Sequence, residues 1–216
     1  LVDAMFFAST LTKIPDGGWF PLLVAAIVFV LLTTWKTGRR LMHARLEDSA
    51  MSLALFAASA AGSLRRVPGT AVFLTSSREA VPPALLHNVK HNKILHERNI
   101  VATVMVERVP HVAADARMEV TLVGEGIHRA ILHYGFMDEI DLPEALRTGH
   151  GWEPPVKPTD TSYFLGRETL IASDRPGMAL WREKLFAWMQ RNAESAMDFF
   201  RLPTNRVIEL GSQVEI

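Results

Sequence analysis

The block Gly18 to Trp35 (GWFPLLVAAIVFVLLTTW) carries no charge, and Lys36, Arg39 and Arg40 follow it at once. At about 1.5 Å per helical residue the block reaches roughly 27 Å, close to the hydrocarbon thickness of a bilayer. Trp19 and Trp35 bracket it, and such amphipathic rings favour the headgroup level. The pattern predicts a transmembrane helix over 18–35, and everything after it is mixed in polarity. Lys13 and Asp16 cancel before the block, whereas Lys36, Arg39, Arg40 and Arg45 follow it. That bias puts the C-terminal side in the cytoplasm. A secretory signal is disfavoured, because no basic region precedes the block and no small-residue cleavage site follows it.

Ahead of the block, LVDAMFFASTL is apolar apart from Asp3 and too short to span. It looks like the end of a preceding span over 1–12, with Ile14 to Gly18 (IPDGG) as a tight turn between the two. After the block a helical pattern continues through a connecting segment, 36–66. Its small apolar part, Ser49 to Ala61, suits packing on a membrane face, on a partner chain or in a core.

From about residue 67 the periodicity changes. Arg65 to Gly69 (RRVPG) predicts a break, and Thr70 to Thr75 a short apolar strand. Pro82-Pro83 opens a predicted helix over Ala84 to Leu95. Ile100 to Glu107 is rich in β-branched residues and reads as a strand. Arg117 to Val123 and Ile127 to Tyr134 alternate on either side of Gly124-Glu125-Gly126, which predicts a hairpin. Asp141 to Leu146 (DLPEAL) has an acidic cap and an early Pro, hence a short helix. Gly149 to Asp160 predicts a surface loop, Thr161 to Leu165 a strand, and 178–200 the longest helix. In that helix Trp181, Leu185, Trp188, Met189, Ala196, Phe199 and Phe200 form a stripe expected to pack in the core. Arg206 to Leu210 and Gln213 to Ile216 predict a final strand pair around Gly211. Strands alternating with helices point to an α/β domain over 67–216, with a largely parallel sheet that also has an antiparallel part.

Charge and chemistry narrow the function classes. The 216 residues hold 23 Lys and Arg against 23 Asp and Glu, so no basic excess calls for a nucleic-acid partner. The absence of Cys rules out disulfides, thiolate catalysis and zinc–cysteine sites. The densest polar cluster runs from His87 to His96. Its His87 and His91, one helical turn apart, are weak candidates for a shared divalent metal, but no acidic residue completes an HExxH arrangement. Cationic residues near a helix C-terminus are the plainer reading. Asp138, Glu139 and Asp141 suit caps, and Arg167 and Arg175 flank a loop that an anion would fit. There is no P-loop, no dinucleotide turn and no nucleophile elbow. We therefore expect no catalytic residues, no cofactor and no enzyme.

Longer strings carry a resemblance. Asp16 to Leu22 (DGGWFPL), Pro68 to Thr75 (PGTAVFLT), Val81 to Asn99 (VPPALLHNVKHNKILHERN), Tyr134 to Leu146 (YGFMDEIDLPEAL), Phe164 to Leu170 (FLGRETL) and Pro176 to Phe200 resemble the KUP family of potassium uptake permeases. The ending Arg201 to Ile216 (RLPTNRVIELGSQVEI) is similar to that family's bacterial C-terminus. The strings keep their order and cover nearly the whole chain. The resemblance implies the C-terminal part of a multi-pass inner-membrane carrier that takes up potassium together with protons. It further implies a cytosolic α/β domain similar to universal stress proteins, and a homodimer. The family's ion sites lie in earlier spans, so no transport residue carries over, and Asp3 reads as structural or interfacial. A membrane-tethered module that senses a nucleotide is the alternative, since some relatives bind cyclic dinucleotides in this domain. A membrane-anchored enzyme is a third and weaker one.

Overall fold

The computed structural model describes residues 17–48, 51–62, 64–171 and 177–215. The expected preceding span (1–12, with Asp3), the turn before Gly17 and Arg175 lie outside the described residues. Contacts between Cα atoms divide the chain into two compact bodies.

The first body holds helix α1 (Trp19–Asp48, up to Arg45) and, from far along the chain, helix α5 (Leu180–Arg191). The apolar block and the first part of the connecting segment are thus one continuous helix, because nothing between Trp35 and Asp48 breaks it. Within it Trp19–Arg45 is long and apolar enough to cross a membrane, and only 6% of its most apolar window is buried. A core helix of a soluble protein would be mostly buried instead.

The second body is an α/β sheet. Its strands are β1 (Arg65–Leu74), β2 (Ile94–Glu107), β3 (Met118–Gly124), β4 (Ile127–Gly135), β5 (Thr161–Ile171) and β6 (Val207–Glu215), in the order β3-β4-β2-β1-β5-β6. β1 pairs in parallel with β2 and β5, β2 pairs in parallel with β4, and β3 pairs antiparallel with β4. The expected mixed sheet is therefore present, with the predicted hairpin as its antiparallel edge. Helices α2 (Leu53–Ala60), α3 (Pro83–Asn92), α4 (Leu142–Thr148) and α6 (Ala196–Phe199) complete this body.

Strand alternation sends neighbouring residues to opposite faces, and both faces are covered. Ala71, Phe73, Val101 and Phe164 join Leu53 and Phe56 of α2 and Leu85 of α3 on one face. Phe73 stacks on Phe164 at 4.6 Å between ring centroids. Val72, Ile100, Ala102, Tyr163 and Leu165 join Leu142 and Leu146 of α4 on the other, where Trp152 and Val156 of the 149–160 loop are also buried. That loop, expected at the surface, thus contributes two core side chains.

Three expectations are corrected. Arg65 to Gly69 does not break the chain but opens β1, with an irregular register between Val67 and Thr70 where Gly69 takes φ +100°. The final strand pair is a single strand, β6, running straight through Gly211. The long helix ends at Arg191 and restarts as the short α6, which Ser195 caps by accepting from the Asp198 amide. Its aromatic stripe divides: Trp181 is 57% and Trp188 56% exposed, whereas Phe200 packs against the sheet core, and Phe186 and Glu183, off the stripe, are buried.

Candidate functional site

A parallel sheet collects ligands beyond the carboxyl ends of its strands, above all where the strand order reverses. Here the order reverses at β1, and the chain leaving its end closes on itself. The Thr75 amide donates to Ala102 O, the Thr103 hydroxyl donates to Ser77 O, and the Ser77 hydroxyl accepts from the Ala80 amide. Those bonds tie the segment after β1 to the end of β2.

One cavity of the sheet body lies beside the end of β4. It measures about 600 Å³ and is lined by residues between Ala114 and His150. Its charged lining is Asp115, Glu139, Asp141 and Glu144 against Arg117, with His150 at the rim. Glu144 is engaged by Arg147, whose Nη2 lies 2.6 Å from its Oε1. An acidic excess of this kind repels phosphates, so the cavity is a poor seat for an anionic nucleotide. A smaller cleft of about 360 Å³, at the amino ends of the strands, mixes Arg98, His128 and Lys157 with Glu97, Glu153 and Asp160. Burial and the neighbouring Arg98 both lower the pKa of His128 and favour its neutral form.

The acidic trio near Asp138 has structural partners. One Asp138 oxygen accepts from the Val112 amide (3.0 Å) and the Gly135 amide (2.7 Å), and the other lies 2.7 Å from His111 Nδ1. These bonds, the Val112 amide first, hold its carboxyl well below the usual carboxylate range. The asparate locks the turn after β4 onto the loop after β2. Glu139 pairs with Arg201 at 2.9 Å. Asp141 is the N-cap of α4, accepting from the Glu144 amide at 2.9 Å. The ring of Tyr134 lies under the Arg117 guanidinium at 5.2 Å, and burial pushes its phenol pKa up.

His87 and His91 both fall on α3, with ring centroids 5.9 Å apart. Among the described residues no group of three or more His, Cys, Asp and Glu is placed to hold a metal. Arg167 reaches across to Glu209 on β6 at 3.1 Å.

Two polar clusters escaped the sequence reading. Buried Asn99 accepts from the His96 amide and donates to His96 O and Gly126 O, which ties the start of β2 to the hairpin turn. His133 on β4 sits with Nδ1 2.8 Å from Glu107 of β2 and Nε2 3.6 Å from Glu119 of β3. Their only sequence signal is a polar residue inside an apolar strand.

Comparisons with known proteins bear on both bodies. A family model described as the K+ potassium transporter C-terminal domain matches residues 68–216. One described as the K+ potassium transporter integral membrane domain matches residues 1–40. The chain is 56% identical over its full length to a probable potassium transport system protein Kup of Erythrobacter litoralis, covering 35% of that protein. It is 57% identical to a Kup 2 protein of Rhizorhabdus wittichii, covering all of this chain and 33% of the relative. A Kup protein of Myxococcus xanthus is 49% identical over the full chain, again across 33% of its length. The chain thus spans about a third of the length of the curated relatives it matches. No solved structure matches it.

Proposed function

The chain belongs to the K+ potassium transporter family, and from that premise we propose that it forms the C-terminal part of a potassium:proton symporter that brings potassium into the cell. The observation that carries this reading is the continuity of α1. Its apolar part falls in the match to the integral membrane domain, and the chain from residue 68 onward falls in the match to the C-terminal domain.

In this reading 1–12 ends a preceding span, 18–35 is the last span, 36–66 connects, and 67–216 is a cytoplasmic domain at the inner membrane. The basic run Lys36, Arg39, Arg40 and Arg45 supports that orientation. The block 18–35 has no ionisable group, the usual mark of an ion pathway, so conduction is assigned to spans upstream. The sheet domain then serves assembly as a homodimer and regulation, by a coupling free energy between itself and the carrier. It performs no chemistry of its own.

The test is rubidium influx by the full-length protein in a bacterium stripped of its own potassium uptake systems. Influx at low external potassium, faster at lower external pH, is expected. An intact and correctly inserted protein that gives no influx at any pH refutes the carrier reading. In that case calorimetry with ATP and cyclic dinucleotides tests the alternative, a membrane-tethered nucleotide sensor.

A further inference from the structure

Helix α5 shows its tryptophans to the outside. Phe186 packs over Gly38 of α1, where an added Cβ would run into its ring, and meets Trp35 edge-on at 5.6 Å between centroids. One turn earlier, Arg182 Nε donates to the Thr34 hydroxyl at 3.0 Å. A step of four residues on α5, from 182 to 186, therefore matches a step of four on α1, from 34 to 38. The two helices run side by side in the same direction. The buried positions of α1 agree with that register: Thr34, Gly38 and Met42 lie four apart on one stripe.

This register fixes depth. Leu180 and Trp181 stand level with Leu32 to Thr34, inside the end of the apolar block, and Trp188 lies about 10 Å further along the axis. At 100° per residue Trp181 and Trp188 fall on one face, away from the Phe186 face turned to α1. Leu180, Trp181 and Trp188 are each at least half exposed. On the same stretch of the two helices, Lys36, Arg39 and Arg40 on α1 and Arg182, Lys184 and Arg191 on α5 are all basic. The one acidic residue of α5, Glu183, is turned inward, where it accepts from the Met178 amide at the helix start.

We propose that α5 is a second membrane contact: its Leu180–Trp181 turn seats in the headgroup layer of an anionic cytoplasmic leaflet, inside a collar of basic side chains. Apolar and aromatic groups at headgroup depth, ringed by Lys and Arg, are the chemistry that an anionic lipid surface recognises. The contact fastens the segment between β5 and α6 to the bilayer beside α1. It rests on the reading of α1 as a span.

The chain has no cysteine, so a single nitroxide label can be placed at will. Exposed positions serve best: L32C in the span, W181C and W188C on α5, and E125C at the hairpin turn as the aqueous reference. The full chain is reconstituted in phosphatidylcholine vesicles with about a quarter phosphatidylglycerol. Collision rates with oxygen, which prefers lipid, and with a water-soluble nickel chelate then give depth. The expected oxygen-to-nickel ratio is highest at 32, several-fold above the 125 value at 181, and intermediate at 188. If 32 lies in lipid while 181 matches 125, the α5 contact is refuted and the span stands. If 181 is shielded from both probes, protein covers it, and the lipid assignment is equally refuted. If 32 itself faces water, the span reading fails and takes this one with it.

Discussion

Asp138 binds two backbone segments through one carboxylate, and its low pKa means that folding and deprotonation are linked. A carboxyl depressed by folding contributes stability that is complete above its unfolded pKa and is lost as the pH falls through the folded one. Unfolding midpoints of the chain in detergent micelles should therefore decline on acidification below about pH 4. D138N should flatten that decline, and an unchanged acid slope would show that Asp138 is not its source. Asn99 offers a neutral counterpart. N99A strands the His96 amide, whereas His96 O keeps the Arg66 guanidinium and Gly126 O keeps the backbone amide of residue 99, and we expect it to cost about 2 kcal/mol in chemical denaturation. A cost below about 1 kcal/mol would mean that water replaces the amide. Asp141 was legible as a cap because DLPE is a local motif. Asn99 and His133 were not, since register alone brings the Gly126 turn to Asn99 and brings Glu107 and Glu119 of the neighbouring strands to His133.

At the scale of elements, long apolar runs and turn residues were the readable part. The hairpin around Gly124–Gly126, the Pro-opened α3 and the parallel strands all follow from local pattern and turn chemistry. The stripe of α5 misled for a physical reason. Amphipathic periodicity says that a helix has an apolar face but not which solvent or neighbour that face meets. Here Phe186, off the stripe, makes the protein contact because Gly38 leaves room for its ring. The turn at Pro68-Gly69 misled differently, since a positive φ marks an irregular strand as readily as a break. G38L should separate α5 from α1 and leave the sheet body folded. Trypsin would then cut at Arg182, Lys184 and Arg191 many-fold faster, with cutting inside β1 to β5 unchanged. An unaltered digestion pattern would show that the Gly38–Phe186 contact does not hold α5.

For the whole molecule, the family was legible in ordered strings and the mixed α/β sheet in its alternating elements. The two-body arrangement was not, because α5 joins α1 across more than a hundred residues of intervening sheet domain. The chain leaves β5 for α5 and returns to the sheet through α6 and β6. In the proposed symporter, a preference of the sheet domain for one state would bias transport. The most direct measurement is rubidium influx through the full-length protein with and without residues from Pro68 onward, with insertion checked in both. The account predicts that influx survives the truncation at an altered rate. Identical kinetics in the two proteins, or a complete loss of influx in a correctly inserted truncated carrier, would contradict it.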